Sequence, residues 1–122
     1  MNSHFVVALF HVLLVAPFLL YVFYNRASNP EWVYTTLLVL GLFVLVYHSY
    51  KALVKFYAKS SSLWVSVYHI VGVAPLLIYI GYKAKKTERP AYEILGLTAF
   101  GALGYHLYNM VVMLQVNDHD DD

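Results

Sequence analysis

The feature that most constrains this chain is where its charges are missing. Residues 4–24, 32–50, 60–82 and 94–117 contain no Asp, Glu, Lys or Arg. Each run reaches the roughly 20 residues that let an apolar helix cross the hydrocarbon core of a bilayer. Between the runs lie short polar stretches: NRASNP at 25–30, KSSS at 59–62 and KAKKTERP at 83–90. Only 12% of the 122 residues are charged, against about 25% in a soluble domain. The pattern predicts an all-α integral membrane protein, a bundle of four transmembrane helices over about 3–24, 31–59, 63–83 and 91–115. The whole chain, 1–122, reads as a single membrane domain ending in the acidic tail NDHDDD at 117–122. The first run lacks a basic n-region and outlasts a typical signal-peptide core, so it reads as a genuine span.

The sequence also repeats. An ungapped shift of 58 residues aligns His11 with His69, Val15-Ala16-Pro17 with Val73-Ala74-Pro75, and Tyr21 with Tyr79. It carries Tyr34 onto Tyr92, Leu37 onto Leu95, and YHSY (47–50) onto YHLY (105–108). One ungapped alignment across helices and a loop means a duplicated two-helix hairpin, with repeat one over about 4–58 and repeat two over about 62–116. Two spans per unit make the repeats parallel, related by an axis along the membrane normal.

Each span holds one histidine of interest: His11, His48, His69 and His106. His11 is about 12 Å along its helix from Ser3, and His48 about 10 Å from Lys55 on the returning helix. The second hairpin repeats this, so all four rings are expected at one depth, in one leaflet. The stripe Tyr34, Leu37, Gly41, Leu45, His48 recurs as Tyr92, Leu95, Ala99, Leu103, His106. Val7, His11, Val15 recurs as Val65, His69, Val73. The best-kept face bears the histidines, which predicts that they point inward. Tyr47, Tyr50, Tyr105 and Tyr108 lie close enough in sequence to support them, and Lys51 sits one turn beyond His48. Small residues at Gly41, Ala99, Gly96, Gly101 and Gly104 suit close helix packing. Pro17 and Pro75 remove a helix donor and are expected to kink the first and third spans.

An ionisable side chain within a membrane marks a candidate functional site. The leading reading is structural: the rings bond across helices in a non-enzymatic membrane protein that packs or assembles in the bilayer. A second is cofactor binding, in which the histidine pair of each hairpin ligates haem b, or all four hold a divalent metal, for electron transfer. A third is a proton or ion path lined by His and Tyr. No catalytic motif for a hydrolase or a nucleotide enzyme is present. The absence of cysteine excludes disulfides and thiolate ligands. Expected partners are the lipid bilayer and further copies of the chain; no basic stripe suits nucleic acid. Arg26, Lys83, Lys85, Lys86 and Arg89 on one side outnumber Lys51, Lys55 and Lys59 on the other, which leans both termini away from the cytoplasm.

The pairing of H-x5-P-x3-Y with a later Y-H-x-Y, at residues 10–24, 47–50, 68–82 and 105–108, resembles small four-span membrane proteins of large double-stranded DNA viruses of algae and protists. The resemblance implies a viral or host membrane setting. It implies no activity and transfers no catalytic residue.

Overall fold

The computed structural model describes residues 3–116; the acidic tail lies outside them. The described chain is helical throughout apart from short connections. Four helices are long and apolar enough to cross a membrane: Phe5–Ser28, Glu31–Tyr57, Leu63–Lys86 and Arg89–Gln115. The second span is one α-helix, α3 (Glu31–Tyr57), and so is the fourth, α6 (Arg89–Val116). α6 begins two residues earlier than expected and takes Pro90 into its first turn. There the missing N–H costs nothing, because the first helical donors have no intrahelical acceptor.

The first and third spans are interrupted helices. α1 (Ser3–Phe10) and α2 (Ala16–Asn25) flank a π-turn at His11–Val15; α4 (Leu63–Tyr68) and α5 (Ala74–Lys83) flank another at His69–Val73. The Ala16 N–H reaches back five residues to the His11 carbonyl, and the Ala74 N–H does the same to His69. The irregularity expected at Pro17 and Pro75 therefore falls in the turn before each proline. The π-turn absorbs one extra residue, and this resets the helix phase. Ala8 and Ala16 are both buried, as are Ser66 and Ala74. Eight residues of regular α-helix would place such a pair about 80° apart; with one residue absorbed the offset is about 20°. The buried face then continues through Leu19 and Val22, and through Leu77 and Ile80. The stripe expected inside is only partly so: Val73 is buried, but Val7 is exposed and His11 and His69 are half-buried.

The described chain divides into two units. One comprises residues 25–92, the second and third spans with their loops; the other joins the first span, to Tyr24, with the fourth, from Glu93. In the 25–92 unit, α3 packs against α5 at very short range. A Cβ added at Gly81 would lie 2.6 Å from the Leu38 backbone nitrogen, and one at Gly41 would lie 3.0 Å from that of Ile78. In the other unit, Gly96 faces the Phe23 ring, which a Cβ would meet at 2.7 Å. Gly41, Gly96 and Ala99 are buried as the small-residue reading requires. Gly101 and Gly104 are both exposed, and among the described residues nothing approaches within 4 Å of a Cβ at either. A small side chain on an apolar helix permits close approach but does not say which face the neighbour takes.

The two connections at the ends of α2 and α5 share a local design. Each is a 3-10 turn, Arg26–Ser28 and Ala84–Lys86. Each opens on a non-glycine residue at positive φ, Arg26 at 49° and Ala84 at 51°, a strained region for an L-residue. Side chains hold both turns. Asn29 Nδ2 donates to the Arg26 carbonyl at 2.7 Å, and Thr87 Oγ1 donates to that of Ala84 at 2.7 Å. The buried Tyr34 and Tyr92 hydroxyls approach the same carbonyls at 2.8 and 3.4 Å, and each other at 2.8 Å. Two hydroxyl protons serve these three contacts. Tyr34 donates to Arg26, and Tyr92 donates to the Tyr34 oxygen, which leaves Ala84 the longest. Lys85 ties the turns together, donating to the carbonyls of Ala27 at 3.0 Å and Asn29 at 2.9 Å.

Candidate functional site

The four histidines come together as two stacked pairs, one within each unit. In the 25–92 unit, the His48 and His69 rings lie 4.0 Å apart between centroids, 17° from parallel. In the other unit, His11 and His106 stack at 4.4 Å and 29°. The cofactor reading pairs His11 with His48 and His69 with His106; each observed stack joins a histidine of one repeat to a histidine of the other. α4 and α5 return along α3 after the short 58–62 connection, so His69 descends beside His48. Under the 58-residue shift His11 corresponds to His69 and His48 to His106. The two stacks are therefore one contact made twice, with the repeats exchanged.

The π-turns set one ring of each pair. His11 Nδ1 lies 2.8 Å from the Val7 carbonyl, and His69 Nδ1 lies 2.7 Å from that of Val65. A carbonyl only accepts, so Nδ1 carries the proton and donates. This fixes the tautomer and makes Nε2 the basic nitrogen of both rings. The partner rings each have an edge-on aromatic neighbour. Tyr47 meets His48 edge-on at 5.2 Å, and Tyr105 meets His106 edge-on at 5.2 Å. Tyr68 gives His69 a similar contact at 5.9 Å, a neighbour the sequence reading did not single out. Tyr50 and Tyr108 are exposed and have no ring contact with a histidine among the described residues. Tyr50 is two residues beyond His48, about 200° around the helix, which brings it to the outer side of α3. Lys51 is half-buried and has no hydrogen bond to either ring among the described residues. Lys55 Nζ instead donates to the Ser62 carbonyl at 3.3 Å and closes the connection to α4.

This geometry limits the cofactor reading. Bis-imidazole haem ligation needs two ring nitrogens aimed at one iron from opposite sides. An imidazole lone pair lies in its ring plane, so stacked rings send their lone pairs side by side instead of toward a common point. Neither pair fits a haem iron in this arrangement. Among the described residues no three His, Cys, Asp or Glu side chains gather as a metal-ion ligand group.

One polar contact has no counterpart in the first repeat. The Tyr79 hydroxyl donates to the Glu88 carboxylate, where the equivalent positions are Tyr21 and Pro30. That bond, with Lys83 nearby, holds the Glu88 carboxyl below the usual carboxylate range.

Comparison of the chain with protein-family models, curated proteins and solved structures finds no match.

Proposed function

We propose that the protein is a small, non-enzymatic integral membrane protein, built from two hairpin repeats, that packs in the bilayer with its histidine pairs clasping spans together. The observation that carries this reading is the surface. Leu13, Val46, Val71 and Leu97 are 61, 71, 70 and 74% exposed. At most 28% of the most apolar window of any span is buried. In water, so much contiguous apolar surface drives aggregation; in lipid it costs nothing. The polar rings avoid the lipid by stacking on one another. The test is alkaline extraction of membranes from expressing cells. The protein is expected in the pellet and in the detergent-soluble fraction; release into the aqueous supernatant refutes the reading. The loop side, with Arg26, Lys83, Lys85, Lys86 and Arg89, is expected to face the cytoplasm. A C-terminal topology reporter active only outside the cytoplasm checks this.

One observation favours a second reading, a proton path. The Nδ1–H bonds to Val7 and Val65 leave a basic Nε2 on His11 and His69, the tautomer a relay requires. Purified protein in liposomes should then carry a proton flux that falls in His11→Ala and His69→Ala. An unchanged flux ends this reading and leaves the clasp.

A further inference from the structure

In the 25–92 unit the histidine stack has a polar neighbourhood that the other unit lacks. α3 carries Lys51 and Lys55 beyond His48, and α4 carries Ser66 just before His69. The 58-residue shift pairs these three with Asn109, Met113 and Ala8. A histidine stack therefore forms without two lysines and a serine beside it. Two contacts fix how α4 lies on α3. Lys55 Nζ donates to the Ser62 carbonyl at 3.3 Å, and the His48 ring stacks on His69. Seven residues separate the two contacts on each helix, run in opposite senses. Ser66 is four residues past Ser62, and Lys51 is four before Lys55, so Ser66 comes opposite Lys51.

Ser66 is 0% exposed, and its hydroxyl has no hydrogen-bond partner among the described residues. A serine or threonine within a helix can bond the carbonyl four residues back, as Thr36 does on Trp32 and Thr98 on Ile94. For Ser66 that carbonyl belongs to Ser62, which already accepts from the Val65 N–H at 3.1 Å and from Lys55. A buried donor left unmet is costly. The charge is unmet as well. Lys51 and Lys55 are half-buried and one turn apart on the same helix face, where like charges repel. Residues 32–87 contain no acid. Glu31 is 20 residues from Lys51, about 30 Å along α3, and Glu88 follows α5 at the same end as Glu31.

We propose that Lys51, Lys55 and Ser66 form a binding site for a phosphate group. Both ammonium groups only donate, and the hydroxyl has a proton to give. A phosphate offers several acceptor oxygens on one centre, so donors on two helices can share it, and its charge answers the lysines. Ser66 forms the floor, and the lysines lead out toward the 58–62 connection at the end of the spans. The group can come from a phospholipid head or from free phosphate. Only the lipid source rests on the membrane reading.

The full chain, purified in dodecyl maltoside, is titrated by calorimetry with phosphatidylglycerol in the same micelles and separately with sodium phosphate. At least one should bind. Binding of the lipid alone identifies a headgroup site, and binding of phosphate identifies a site for the free anion. Ser66→Ala and Lys51→Met should each weaken that binding about tenfold, the worth of one charge-assisted hydrogen bond. Lys51→Arg should hold it, and so should Lys86→Met at the opposite end of the spans. Binding of neither probe overturns the proposal. So does equal binding by Ser66→Ala and the parent, since general attraction of anions to the lysines would survive loss of the hydroxyl. Ser66→Ala decides the matter if Lys51→Met does not fold, because the other unit folds with Ala8 in that place. Alkaline extraction tests the membrane reading separately, so the two can fail independently.

Discussion

Gly81→Ala is the smallest change that tests how tightly the second and third spans meet. The new methyl would sit 2.6 Å from the Leu38 nitrogen, 2.8 Å from its Cα and 2.8 Å from its Cβ. Non-bonded carbons prefer about 3.5–4.0 Å. Two of the three atoms are backbone, so no rotamer change relieves them; α5 must move away from α3 along its whole contact. Overpacking of this kind costs about 1–3 kcal/mol. Opposing it is the helix preference of alanine over glycine, up to about 1 kcal/mol in its favour. The net expectation is a loss of about 1–2 kcal/mol. Gly101→Ala gives the reference, because nothing lies within 4 Å of its Cβ position and only the helix term acts. The measurement is equilibrium unfolding in mixed micelles with increasing SDS, followed by circular dichroism and by the fluorescence of Trp32 and Trp64. Gly81→Ala should unfold at lower SDS fraction than the parent and Gly101→Ala at an equal or higher one. If the two variants unfold together, α5 does not approach α3 this closely, and the packing account fails.

Three more outcomes follow from the loop end of the molecule. Tyr34→Phe removes the donor to the Arg26 carbonyl and the acceptor for Tyr92, so it should cost about 1–3 kcal/mol in the same unfolding assay. Tyr92→Phe removes the weaker donor and should cost less; the reverse order would refute the proton count. Tyr79→Phe should raise the Glu88 carboxyl toward the ordinary carboxylate range, read by carbon NMR of the labelled side chain. Because Glu88 is depressed in the folded protein, its contribution to stability is full above the unfolded carboxylate pKa and is lost as pH falls through the folded one. That acid-side loss should shrink in Tyr79→Phe. Lys85→Met removes two bonds that tie the first connection to the second; amide exchange should quicken across Arg26–Glu31 and stay unchanged in α3 beyond Gly41. Uniform acceleration would mean that Lys85 acts on the whole unit.

Charge spacing alone was enough to give the helical class and four helices long and apolar enough to cross a membrane, with their approximate limits, because uninterrupted apolar runs of this length are read directly from the sequence. Repetition singled out His11, His48, His69 and His106, and Tyr47 and Tyr105 with them. The pairing of the histidines did not follow from depth along each helix. Depth is a one-dimensional quantity, read from residue rise, and it is the same for either pairing of spans.

The sequence by itself therefore determined where the chain is helical, since that depends on local hydropathy and on backbone donors that must be satisfied within each span. Only the tertiary structure decided which faces touch. The π-turns at His11–Val15 and His69–Val73 rotate the following helix by about one residue, which no regular period anticipates, and so move the buried face off the expected stripe. Within the 25–92 unit Gly81 comes to lie against Leu38 and His69 against His48; within the other, Phe23 lies against Gly96 and His11 against His106. A helix-facing glycine has no side chain with which to announce its partner; its role exists only in the backbone that comes to rest against it.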